Sequence, residues 1–144
     1  MSERASNRDE LDEIRRRKRE ALEAKIRGEG ASEDDSQPAP TTPVRVDGVD
    51  EFESLVAAHD VVLVDFHADW CGPCKMLEPT VKRLAAETDA TVAKVDADRN
   101  QTLAQRHGVR GLPTLLLFSG GDVVEQVVGV RDYGTLRSLV DQYV

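Results

Sequence analysis

The segment Val61-Val62-Leu63-Val64-Asp65-Phe66 restricts the fold more than any other. It is apolar and β-branched apart from Asp65, and it lacks the polar alternation of a half-exposed strand. A strand of this kind is buried on both faces. It needs a sheet with cover on each side. Beyond it come Trp70-Cys71-Gly72-Pro73-Cys74 and then Met76, Leu77, Val81, Leu84 and Ala85 at helical spacing. The pattern predicts a central strand over 61–67 that hands over to a helix ending near Glu87, with the cysteines at the junction.

Those cysteines are the only two in the chain. On one helical turn, residues i and i+3 place their Cβ atoms roughly 5–6 Å apart. Disulfides accept Cα separations of about 4.4–6.8 Å. Cys71 and Cys74 can therefore bridge with little backbone movement. The ring they close is too short to staple a fold, so the pair is suited to cycling between dithiol and disulfide. Pro73 is tolerated because the first helical turn has unpaired N–H groups in any case. Cys71, at the exposed helix N-terminus, is the expected nucleophile, since the helix dipole favours its thiolate. Cys74, one turn further in, is the expected resolving thiol. A structural zinc site would need two more ligands, and His59, His67 and His107 are the only histidines.

The elements around this junction alternate. Val44–Val46 reads as a short strand, and Asp47 as the cap of a helix carrying Phe52, Leu55, Val56 and Ala57. After the cysteine helix come a strand at Thr91–Val95 and a short helix around Asn100–Arg106, closed near Gly108. Thr114–Phe118 and Asp122–Val128 flank Ser119-Gly120-Gly121, a hairpin signal. A last helix runs from Asp132 to about Tyr143. Pro79, inside the cysteine helix, should kink it. The expected fold class is α/β: a central mixed sheet with helices on both faces.

Four blocks in this order carry a family resemblance: Val64-Asp65-Phe66, Trp70-Cys71-Gly72-Pro73-Cys74-Lys75-Met76, Val92-Ala93-Lys94-Val95-Asp96, and Gly108-Val109-Arg110-Gly111-Leu112-Pro113-Thr114. Together they resemble the thioredoxin family over about residues 44–144. The resemblance implies the thioredoxin fold and protein-disulfide reduction through a Cys71–Cys74 redox disulfide. It implies that Asp65 exchanges a proton with Cys74, with Lys94 tuning Asp65. A carboxylate in an apolar strand should in any case have a raised pKa. The resemblance further implies a cis Pro113. It also places Trp70, Gly72, Pro73, Gly111, Leu112, Val128 and Gly129 with Pro113 in an apolar rim that grips extended substrates. No bound cofactor is expected. Electrons would come from a thioredoxin reductase, and the clients would be disulfide-containing proteins met by a monomeric domain.

His67 departs from the family pattern, which usually has a larger aromatic ring there. Imidazole is smaller and titratable. Its plainest reading is a half-buried ring filler, but it puts the usual potential and pH profile in question. Gly72-Pro73 resembles the reducing branch; the alternative is a dithiol oxidase or isomerase, which more often carries histidine between the cysteines.

The remaining sequence adds less chemistry. Residues 1–43 read as a charged extension, with a helix over about 9–27 and a disordered linker rich in acid, serine and proline. The basic run Arg15–Arg19 is bracketed by acids and reads as a solvated, internally paired face. A second class of function would use this helix to dock the domain as a redox-independent binding subunit. The chain has 144 residues and a net charge of −8, with five lysines against fourteen arginines. This negative field argues against general nucleic-acid binding. The acidic, lysine-poor composition resembles proteins that work in concentrated salt; the alternative is an ordinary acidic soluble protein from a GC-rich genome. No apolar run is long enough to span a membrane, and an isolated C-x-x-C fits a reducing cytoplasm.

Overall fold

The computed structural model describes residues 38–144, which form one compact unit. The elements over these residues are β1 (Val44–Arg45), α1 (Val49–Ala58), β2 (Val61–His67), α2 (Gly72–Glu87), β3 (Thr91–Asp96), α3 (Gln101–Arg106), β4 (Thr114–Ser119), β5 (Asp122–Val128) and α4 (Tyr133–Asp141). The expected helix at 9–27 and most of the linker lie outside the described residues.

The strands form a mixed sheet in the order β1-β3-β2-β4-β5. β2 is parallel to β3 and antiparallel to β4. That central place accounts for its composition, since all seven residues of β2 are buried. Successive side chains point to opposite faces. Val62, Val64 and Phe66 pack with Phe52 and Val56 of α1 and Leu103 of α3. Val61 and Leu63 pack with Leu77, Val81 and Leu84 of α2 and Leu136 and Val140 of α4. Asp65 and His67 share the parity of Val61 and Leu63, so they lie on the α2 face. The expected two-sided cover of the sheet is present.

Several local readings change. Asp47 does not cap α1. Gly48 is the N-cap, at φ 91, a backbone geometry that favours glycine. Its amide donates to Asn100 Oδ1 at 2.7 Å, which ties the helix start to the loop after β3. Asp132 does cap α4, accepting from the Thr135 amide at 2.8 Å. Gly120 and Gly121 both have positive φ, as a tight hairpin turn requires. Met76 is not part of the apolar stripe of α2. It is 71% exposed, because the buried face runs through Cys74, Leu77, Val81, Leu84 and Ala85 instead. Pro79 lies inside α2.

Candidate functional site

The site lies where β2 ends and α2 begins. Cys71 is the N-cap of α2, and Gly72 and Pro73 open its first turn. The Cys74 amide donates to Cys71 Sγ at 3.1 Å. This is an unpaired first-turn N–H directed at the first sulfur. The two cysteines are joined in a disulfide, with Cα atoms 5.3 Å apart, inside the window expected from their spacing.

Cys71 is not exposed, contrary to the reading from sequence. It is 3% accessible and Cys74 5%, so exposure does not distinguish the two sulfurs. Ala68 and Leu112 pack against them and supply the cover. The resemblance placed Leu112 in the rim but did not show that it covers the sulfurs. What separates the sulfurs is position: Cys71 receives the helix N-terminus, and Cys74 faces the sheet one turn on.

The Leu112–Pro113 peptide bond is cis, as the resemblance implied. The Pro113 carbonyl accepts from the Gly129 amide at 2.8 Å, and Thr114 Oγ1 donates to the Gly111 carbonyl at 2.6 Å. Gly129 sits at φ 95, where a side chain would strain the backbone. Trp70, 70% exposed, donates from Nε1 to Asp98 Oδ2 at 2.7 Å. Gly72, Pro73 and Val128 are also exposed, whereas Gly111, Leu112 and Gly129 are half-buried and Pro113 is buried. The residues expected to form a rim thus include a large exposed ring, an exposed valine and the backbone around the cis bond.

Asp65 is 1% exposed, and neither carboxylate oxygen finds a hydrogen-bond partner among the described residues. Burial pushes its pKa up from 3.8 to about 6, partly offset by Lys94 and reinforced by Glu78. Lys94 stands opposite Asp65 in the β2–β3 register. Its ammonium, however, bonds Glu78 Oε2 of α2 at 2.8 Å. That bond holds the Glu78 carboxyl below its usual range. Glu78 escaped the sequence reading. Its signal was the four-residue step from Cys74, which places both on one face of α2. His67 is buried rather than half-buried, and its Nε2 has no partner among the described residues. Burial and then Lys94 lower its pKa.

No group of metal-ligating side chains is found among the described residues. No helix among them is long and apolar enough to cross a membrane.

The thioredoxin family profile matches residues 43–142. The thioredoxin of Chlamydia caviae is 42% identical over 101 residues, covering 69% of this chain and 98% of its own length. That of the alga Porphyra purpurea is 41% identical over 96 residues, covering 65% of this chain and 90% of its own. A point-mutant thioredoxin from Halobacterium salinarum superposes with a TM-score of 0.72 at 52% identity, over 75% of this chain and 96% of that one. The thioredoxin of Schistosoma mansoni gives 0.68 at 30% identity, over 74% and 99%. The match in sequence and architecture, with the paired cysteines at the end of the central strand, shows that this chain belongs to the thioredoxin family and is a thiol–disulfide oxidoreductase that reduces protein disulfides through Cys71 and Cys74.

Proposed function

We propose that Cys71 attacks the client disulfide, that Cys74 resolves the mixed disulfide, and that Asp65 takes the proton of Cys74. The observation that carries this order is the hydrogen bond from the Cys74 amide to Cys71 Sγ at the N-cap of α2. A thiolate at Cys71 keeps that donor and the helix dipole, whereas Cys74 has neither. Its attack on a client disulfide expels one client thiolate and leaves Cys71 bonded to the other sulfur. Cys74 then loses its proton to Asp65, attacks Cys71 Sγ and releases the second client thiolate. Each turnover oxidises one dithiol and reduces one client disulfide. Lys94 sets the basicity of Asp65 through its charge. Its bond to Glu78 keeps the ammonium beside the strand.

Trp70, Gly72, Pro73, Gly111, Leu112, Pro113, Val128 and Gly129 form the surface over which an extended client lies. Recycling of the Cys71–Cys74 disulfide falls to a thioredoxin reductase. This chemistry suits a reducing cytoplasm. Known thioredoxins are poised near −270 mV and protein disulfide isomerase near −180 mV. Equilibration with glutathione should give a potential nearer the former, because no histidine stands between the cysteines. A value above roughly −200 mV would place the protein with the oxidases or isomerases.

Residues 1–43 contain no cysteine or histidine. Removing them should leave both insulin reduction and the potential nearly unchanged. A loss of activity beyond a few-fold would mean that the extension shapes the site.

A further inference from the structure

Beneath α2 lies a floor of charged and polar side chains on the β1–β3–β2 part of the sheet. Register aligns Arg45 with Lys94 and Lys94 with Asp65. One step along the same face, His67 stands opposite Asp96. A crevice of about 130 Å³ opens between this floor and α2. His67, Lys94 and Arg45 line it from the sheet, Asp69 from the loop, and Cys74, Lys75 and Glu78 from the helix. It has room for a few waters, at roughly 30 Å³ each. Asp65 and His67 are two residues apart on one strand and one face, so about 7 Å separates their backbone positions.

We propose that His67 carries the proton of Cys74 onward from Asp65 to the water of this crevice and so to bulk solvent. The proposal rests on the reading of Asp65 as the first proton acceptor. A proton left on Asp65 can return to Cys74 before the sulfur attacks, and passing it on commits the thiolate. Cys74 S–H loses its proton to Asp65; the acid passes it to neutral His67; the imidazolium releases it to water. The electron pair on Cys74 forms the bond to Cys71 Sγ. The Cys71–client bond breaks, its pair leaves on the client sulfur, and that thiolate takes a proton from solvent.

The other titratable groups on this floor and around the crevice are poorly suited to this relay. Arg45, Lys75 and Lys94 are cations that already hold their protons. Glu78 is kept ionised by its 2.8 Å bond to Lys94. Asp96 Oδ1 accepts from the amides of Asp98 and Arg99. Asp69 is exposed, at the wet end of the path. His67 has a buried nitrogen without a protein partner among the described residues. Burial and Lys94 lower its pKa, so the imidazole is neutral at pH 7 and free to accept a proton.

The test uses the full chain and acid-quenched single turnovers on a small protein disulfide at pH 7. His67→Gln should slow release from the mixed disulfide roughly tenfold, below the hundredfold typical of a direct acid–base group. Capture by Cys71, measured in the Cys74→Ser background, should be unchanged by the same substitution. Added imidazole should restore release in His67→Ala, a recovery that a merely structural role would not give. Asp65→Asn is run in parallel. Slow release in Asp65→Asn with normal release in His67→Gln overturns the relay alone. Normal release in both overturns the Asp65 reading as well. Equal slowing of capture and release by His67→Gln also overturns the relay, because it reports a distorted site.

Discussion

Cys71→Ser should abolish insulin reduction and capture no client covalently, while Cys74→Ser should also stop turnover yet accumulate a mixed disulfide. Both variants lack the dithiol, so activity measurements alone cannot separate them. Trapping does. In Cys74→Ser the Cys71 sulfur keeps the helix N-terminus and the amide of residue 74, so attack persists and resolution is absent. In Cys71→Ser the remaining sulfur lies 5% exposed against the sheet side, without that donor. Non-reducing electrophoresis after mixing each variant with an oxidised client is the measurement. Equal trapping by both would mean that the nucleophile has been assigned to the wrong sulfur.

The second large effect is on stability. Asp65 has a folded pKa of about 6 against 3.8 for the free group. The folded state therefore binds the proton more tightly than the unfolded chain. Between roughly pH 4 and 6 the native state holds more protons than the unfolded one, so stability falls as pH rises through that window. The shift of about two units corresponds to about 3 kcal/mol, fully lost by pH 7. Asp65→Ala removes this cost. In the oxidised protein it should raise unfolding free energy at pH 7, by up to about 3 kcal/mol relative to its effect at pH 4. The same variant should slow client release. Urea denaturation at the two pH values, paired with release kinetics, checks both. A less stable variant with normal release would make Asp65 a structural carboxylate with no part in proton transfer.

What could be read from the chain divides along physical lines. β2, α2 and the β4–β5 hairpin were legible because their signals are local: an unbroken apolar run, an apolar stripe at helical spacing, two adjacent glycines. The place of Cys71 at a helix start was legible for the same reason. Its burial was not, because the cover comes from Leu112, some forty residues away. Met76 was misplaced because adjacent residues of a helix differ by about 100° in direction, and composition alone does not choose between Met76 and Leu77 as the inward one. Asp47 looked like a cap by residue type. Gly48 took the position through its positive φ and its bond to Asn100, a partner 52 residues away. The cis bond at Pro113 came only from family resemblance. Glu78 was overlooked because its partner Lys94 belongs to another element, which only the fold brings opposite.

The near-complete burial of both sulfurs has a consequence for which disulfides can be reduced. Neither sulfur can travel outward, since one caps a helix and the other is embedded against the sheet. The incoming bond must therefore be carried to them by a strand of client loose enough to lie flat across the opening. A disulfide locked within a rigid host cannot make that approach, whatever its redox potential. On this reading, local fraying of the target is the expected filter, and loosely held disulfides should be reduced faster than rigidly held ones of equal potential.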